Sequence, residues 1–211
     1  MGGHSSVRHH RLKRFVDIVA GSVLLVLALP IMAVSGLAVL LASGRPVFYL
    51  QERVGRRGRR FTMYKFRSMR VDAEKETGPV WAVAGDPRRT RVGALLRRLN
   101  LDELPQLANV VRGDMSLVGP RPERPFFVES FERRIPDYQR RHTVRPGMTG
   151  WAQVNGLRGN TSIHRRTEYD LYYVDHMGLA LDARVLWMTL KEYVCGRNAC
   201  TDEEERWRDT S

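Results

Sequence analysis

Cysteine is scarce: the 211 residues hold two, Cys195 and Cys200. Two thiols cannot build a disulfide-stapled scaffold. With no second cysteine pair and no neighbouring histidine pair, they supply no zinc-ligand set and read as idle thiols of a reducing compartment. The six histidines, at positions 4, 9, 10, 142, 164 and 176, show no HExxH or other metal spacing. The sequence also lacks GxGxxG, the Walker A loop, the GxSxG elbow and the kinase signatures. Their absence removes dinucleotide binding on a Rossmann unit, P-loop chemistry and serine hydrolysis. Acidic residues are nearly missing from the first third: residues 1–70 carry 13 basic and 2 acidic side chains, against 22 and 21 in residues 71–211. Long apolar runs are missing too, with one exception, Ile18–Ala42.

What remains is ordinary in bulk. A chain of this length, 43% hydrophobic and 27% charged, builds one folded domain with room for an appendage. The net charge of +12 calls for an acidic partner, whether nucleic acid, membrane surface or phosphorylated substrate. Aromatic interleaving is sparse and the basic excess hugs the apolar run, so nucleic acid is not the expected partner.

Ile18–Ala42 is 25 uncharged residues, enough to cross a bilayer where about 20 suffice. It is too long for a signal peptide and has a poor cleavage site. Two readings stay open, a spanning helix and a re-entrant one. Pro30 sits mid-run, where it removes a helical hydrogen bond. Arg8, Arg11, Lys13 and Arg14 precede the run, and six arginines from Arg45 to Arg60 follow it. Basic flanks prefer the cytoplasmic side, and only a helix that dips in and returns keeps both there. Anionic membrane lipids would favour that by about 1 kcal/mol per surface Lys or Arg. Proline is also common in plain transmembrane helices.

Beyond Gly44 the patterning predicts a soluble-like α/β unit, helix-rich. Val47–Gln51 and Phe61–Met69 read as strands joined by a hairpin at Gly55–Gly58. Val92, Leu95, Leu96 and Leu99, with Arg91, Arg97 and Arg98 around them, predict a basic amphipathic helix, packed in a core or lying on a membrane surface. Asn100 reads as the N-cap of the next helix, with Glu103 at the third position and Gly113 as its stop. A short strand at Met115–Val118, a stiff loop at Gly119–Pro122 and an amphipathic stretch at Phe126–Arg141 follow. Val144–Asn155 reads as loop with short extended pieces, and helices are expected at Thr161–Val174 and, capped by Asp182, Asp182–Val194. The division is a basic arm (1–14), a membrane segment (15–44), a catalytic unit (45–200) and an acidic tail (201–211).

Three constellations could carry chemistry. Asp102-Glu103 can be two acids stabilised at a helix start. Helical neighbours point about 100° apart, so the pair is no shared-proton dyad, yet one carboxylate could attack phosphorus while the other binds metal or moves a proton. Arg121 between Pro120 and Pro122 is a guanidinium on a stiffened backbone, suited to phosphate. Lys65, Arg67, Arg97, Arg112 and Arg145 could together neutralise a diphosphate, although each alone also reads as a solvated surface charge.

In this order the pieces resemble the bacterial sugar transferase family, in particular its monotopic polyprenyl-phosphate phosphoglycosyl transferases. The resemblance rests on Lys13-Arg14-Phe15-Val16-Asp17; Tyr64-Lys65-Phe66-Arg67-Ser68-Met69; Leu101-Asp102-Glu103-Leu104-Pro105-Gln106-Leu107; Arg112 to Pro122; Val144 to Gly156; and Tyr169-Asp170-Leu171-Tyr172-Tyr173-Val174. It implies transfer of a phospho-sugar from a UDP-sugar to polyprenyl phosphate with release of UMP and use of Mg²⁺. It puts the nucleophile on Asp102, acid/base or metal duty on Glu103, phosphate on Arg121 and Arg97, and a site or structural role on Asp170. It implies a re-entrant helix broken at Pro30, where Leu29 stands in place of the family's frequent serine. It places the catalytic unit on the cytoplasmic face of the bacterial inner membrane, as the minimal catalytic form, and leaves room for a homo-oligomer. The rival reading is a membrane-anchored, noncatalytic module that binds anionic partners.

Overall fold

The protein is described from a computed structural model, which places residues 3–75, 78, 80 and 85–194. Cys195, Cys200 and the tail 201–211 lie outside the described residues.

Helix α1 runs from Gly3 to Ser43, about 60 Å at 1.5 Å per residue. The break expected at Pro30 is absent, and helix continues on both sides of it. The proline forfeits its own N–H and sets its ring against the Val26 carbonyl one turn back, a cost that the long ladder and the packing of α1 on either side, at Ala28 and Ser35, outweigh. Residues 3–14, read as a separate arm, are the first turns of the same helix. α1 is long and apolar enough to cross a membrane.

Small side chains turn α1 toward the rest of the protein. Asp17, Ala28, Ser35 and Val39 are buried at helical spacing, and Gly21 lies against Val110 and Val111. The opposite face presents Phe15, Val19, Val23, Val26, Leu27, Val34 and Leu41 unburied. Such a contiguous apolar face belongs against a nonaqueous phase. It associates the chain with membrane.

The Lys13-Arg14-x-x-Asp17 motif clamps α1 to the domain. Arg14 Nη1 and Nη2 donate to the carbonyls of Val110 (2.6 Å) and Val111 (2.8 Å). They neutralise carbonyls at the end of α3 (Gln106–Arg112), where a cation is favoured. Asp17 accepts from Ser116 Oγ (2.9 Å) and Leu117 N (3.0 Å). Lys13 Nζ meets Asp182 at 2.6 Å.

The domain mixes α and β, with helices dominant. β1 (Phe48–Val54) and β2 (Arg60–Phe66) form the expected antiparallel hairpin, in register Phe48 to Phe66 and Val54 to Arg60. Met63 enters the main core with Val110, Met115, Val118 and Tyr173, while Phe66 packs with Val39 and Leu96. α2 (Arg91–Arg98) is capped by Thr90, whose hydroxyl accepts from Gly93 N at 2.9 Å. β3 (Ser116–Val118) and β4 (Gly147–Thr149) form a short parallel pair. α4 (Pro125–Glu132), a 3₁₀ turn (Tyr138–Thr143) and α5 (Trp151–Val154) connect them to α6 (Ile163–Asp175) and α7 (Leu179–Val194). α7 starts before Asp182, which is therefore no N-cap. Its buried carboxylate serves Lys13 and accepts from Tyr173 Oη at 2.6 Å.

Candidate active site

Asp102 and Glu103 do not sit in the first turn of a capped helix. After α2, Asn100 takes a left-handed conformation (φ 52°) and its side chain caps nothing. Leu101–Glu103 form one 3₁₀ turn, and α3 starts only after Pro105. Pro105 has no N–H to extend a helix backwards, so the chain folds as turn, proline, helix. Gly113 ends α3 in the left-handed region (φ 103°), as expected.

On this turn the two carboxylates have opposite surroundings. Glu103 Oε1 receives Lys65 Nζ from β2 at 2.8 Å and Arg121 Nη2 at 2.6 Å. Asp102 is 6% exposed and makes no hydrogen bond or ion pair among the described residues. Burial alone would push the Glu103 carboxyl up, but Arg121 and then Lys65 overcome it and hold it well below the usual range. Burial, then the Glu103 charge, pushes Asp102 up, against Lys65, Arg97 and Arg121. Burial pushes the Lys65 ammonium down, and Glu103 opposes this. Glu103 raises Arg121, which stays charged. One carboxylate is therefore spent on cations while its neighbour is buried and uncommitted.

Arg97 joins this pair. Gly93 lets α2 approach the backbone of Ser68 so closely that a Cβ there would overlap it. One turn later Arg97 Nε donates to Ser68 Oγ at 2.8 Å, and the guanidinium acts on Asp102. Arg121 arrives from the Pro120–Pro122 loop. At its base Gly119 and Gly147 bring two backbones together, with Gly147 N donating to Pro120 O (2.9 Å) and Gly119 N to Thr149 O (2.9 Å).

Four charged residues that no motif singled out fix this loop. Arg141 Nη2 donates to the Arg121 carbonyl (2.9 Å) and to Asp170 Oδ2 (2.6 Å), while Nη1 reaches Tyr138 Oη (2.7 Å). Arg53 Nη1 donates to the Pro122 carbonyl at 2.9 Å. Glu123 lies 3.7 Å from Arg53 and 2.8 Å from Arg166. Asp170 thus bears on the site at second hand, through Arg141 and the Arg121 backbone. Arg141 stands in an Arg140-Arg141-His142 run and Arg166 follows Arg165, so only burial separates these arginines from their exposed neighbours.

The other candidates lie elsewhere. Arg67 Nη2 donates to the carbonyls of Ser43 and Gly44 (2.8 Å to the latter) and closes the end of α1. Arg112 is exposed, bonded to Tyr64 Oη (2.9 Å) and near Asp114 (3.4 Å). Arg145 Nε donates to Gly113 O (3.0 Å), at the far end of α3 from Asp102. No group of three or more His, Cys, Asp or Glu able to hold a metal occurs among the described residues.

The sequence profile of the bacterial sugar transferase family matches residues 8–196. The chain is 44% identical over 190 residues to a UDP-N-acetylgalactosamine-undecaprenyl-phosphate N-acetylgalactosaminephosphotransferase of Aeromonas hydrophila, covering 89% of this chain and 45% of that one. It is 43% identical over 183 residues to a UDP-glucose:undecaprenyl-phosphate glucose-1-phosphate transferase of Escherichia coli K12, covering 85% and 39%. It is 44% identical over 187 residues to an exopolysaccharide production protein of Rhizobium leguminosarum, covering 85% and 93%. The chain thus spans less than half of the first two relatives and nearly all of the third. The matched stretch runs from the clamp on α1 through the Asp102 turn to the end of α7, and on that extent the chain belongs to the bacterial sugar transferase family.

Proposed function

We propose that the protein transfers a sugar phosphate from a UDP-sugar to polyprenyl phosphate, releasing UMP, through a covalent intermediate on Asp102. The Asp102 carboxylate attacks the sugar-bearing phosphorus of the diphosphate. A P–O bond forms, the bond to the bridging oxygen breaks, and UMP departs with that electron pair. A phosphate oxygen of the polyprenyl carrier then attacks the same phosphorus and expels the Asp102 carboxylate, leaving a polyprenyl diphosphate sugar. The transferases for N-acetylgalactosamine and glucose phosphate among the relatives support this substrate class. UMP leaves as an anion and needs little protonation.

One observation carries the reading: Asp102 is buried and, among the described residues, unpaired, beside a Glu103 that takes the direct contacts of Lys65 and Arg121. A carboxylate held by two cations has its charge neutralised and its position fixed, which weakens it as a nucleophile, whereas an unpaired one keeps its charge and its freedom. Arg121, Lys65 and Arg97 would take the charge of the diphosphate as it meets a carboxylate, in a site partly shut from water. The residues fit Mg²⁺, an ion that binds through one or two carboxylates and completes its shell with water and substrate phosphates. Asp102 has uncommitted oxygens and Glu103 is adjacent; the ion would neutralise diphosphate charge there.

The packing of α1 supports a particular membrane placement. The domain touches it from Arg14 to Val39, about 37 Å of helix. A perpendicular crossing in this pose would pull the charged ends of α2 and α3 into hydrocarbon. A tilted, partial insertion by the outer face keeps both basic flanks on the cytoplasmic face of the bacterial inner membrane, beside anionic lipids.

The test uses the full chain in detergent with magnesium and UDP-sugar radiolabelled in the sugar, without acceptor. Label held by the protein, absent from Asp102→Asn and released by polyprenyl phosphate, is the expected result. Transfer to acceptor without any protein label would overturn the covalent route.

A further inference from the structure

A second basic site lies at the other end of α3. A pocket of about 310 Å³ is bounded by the hairpin tip, with Arg56, Arg57 and Arg59, and by Gly113, Asp114 and Arg145. Arg56 Nε donates to Thr143 O (3.1 Å) and Arg145 Nε to Gly113 O (3.0 Å). Each guanidinium is anchored by one nitrogen, and its two terminal nitrogens have no acceptor among the described residues. Arg57 and Arg59 have no side-chain partner there either. The single acid on the wall, Asp114, faces Arg112 at 3.4 Å. Burial, then Arg145 and Arg57, pushes Arg56 down, and burial, then Arg14, does the same to Arg145. These cations repel one another where water is partly excluded, a condition that an anion relieves.

The backbone adds a second sign. Arg57 (φ 58°) and Gly58 (φ 73°) both take the left-handed region in the loop that joins β1 to β2. That region favours Gly and Asn. An arginine there is held against its own steric preference, as happens where a side chain is needed at a particular spot.

The pocket is not the transfer centre. Lys65 lies about 17 Å along β2 from Arg60, and α3 separates Gly113 from Glu103. It lies instead beside the start of the apolar face of α1. Arg14 packs on Gly113, and one residue later Phe15 is 64% exposed. We propose that this pocket binds the phosphate of an anionic lipid headgroup, independently of the Asp102 site, and seats the hairpin tip at headgroup level.

The experiment is thermal unfolding of the full chain in neutral detergent. The probes are soluble dihexanoyl phosphatidylglycerol, dihexanoyl phosphatidylcholine and inorganic phosphate at matched concentration and ionic strength. At ten times Kd the phosphatidylglycerol should raise Tm by about 3–6 °C, with phosphatidylcholine inert. Arg57→Asn suits the turn, so it should melt no lower than wild type while losing most of the shift. Lys65→Gln should keep the shift. An equal shift from inorganic phosphate would overturn the headgroup assignment. A shift that survives Arg57→Asn, or vanishes in Lys65→Gln, would overturn the site, whatever the fate of the transfer chemistry.

Discussion

The Arg121 guanidinium closes on Glu103, Nη2 to Oε1 at 2.6 Å, and leaves the adjacent Asp102 alone. This asymmetry sets opposite stabilities for two isosteric changes. Asp102 is raised, so its ionised form costs the folded state at neutral pH, and that cost disappears as acid protonates it. Glu103 is depressed. Its contribution is present above the ordinary value of 4.5 and is lost as pH falls through its lower folded value. Asp102→Asn should therefore melt at or above wild type at pH 7 and carry no activity. Glu103→Gln should lose about 1–3 kcal/mol, because Lys65 and Arg121 keep their charge and lose their partner. Thermal melts at pH 7 decide it, and a lower Tm for Asp102→Asn would refute the unpaired-carboxylate description.

The same pair sets the acid limb of activity. On the proposed route Asp102 attacks as the carboxylate, and its carboxyl sits above the ordinary 3.8 because of burial and the Glu103 charge. The kcat of wild type should fall on acidification through an apparent pKa above 3.8. Glu103→Gln removes the repulsion and frees two cations to act on Asp102. The acid limb of its residual activity should shift to lower pH. A limb that shifts upward would place the titrating group elsewhere.

Arg141 and Asp170 form a 2.6 Å pair, 2% and 1% exposed, behind the Arg121 loop. Asp170→Asn leaves a buried guanidinium uncompensated and should cost about 3–5 kcal/mol. The double change Arg141→Met with Asp170→Leu removes both charges and should recover much of that stability. Activity should not recover with it, since the Arg121 carbonyl has lost its donor and the arginine proposed to meet phosphate its fixed position. KM for UDP-sugar should rise by about tenfold or more in a protein that melts normally. Full activity in the double variant would reduce the pair to a core element.

Local pattern made much of this architecture legible beforehand. The hairpin, Gly113 as a helix stop and the Ser116–Val118 strand follow from turn chemistry and alternation that act over a few residues. The Asn100 cap failed because Pro105, five residues on, overrode a good local signal. The Asp102-Glu103 pair was readable as a candidate, but the division of labour within it was not. That division depends on Lys65 and Arg121, 38 and 18 residues away from Glu103, choosing one carboxylate. Arg67, Arg112 and Arg145 looked equivalent to Lys65 in a charge count. Their partners, the Ser43 and Gly44 carbonyls, Tyr64 and the Gly113 carbonyl, are set by tertiary packing.

The two faces of α1 should respond in opposite ways to substitution. Leu27 is 68% exposed on the outer face, and Gly21 lies 3.0 Å, measured from an added Cβ, from Val110. Leu27→Lys touches nothing in the domain, but a charge near the centre of an apolar helix costs about 2.5–3.5 kcal/mol to insert. It should lower partition into vesicles by about 70- to 400-fold while UMP release in detergent persists. Gly21→Leu should stay with the vesicles, because it only adds apolar surface. It would wedge α1 away from Val110 and strain the Arg14 and Asp17 contacts, at a cost of about 1–3 kcal/mol. Flotation of both variants, with UMP release measured in detergent, separates the faces. Loss of detergent activity in Leu27→Lys, with Gly21→Leu unaffected, would mean that the helix is docked by its other side.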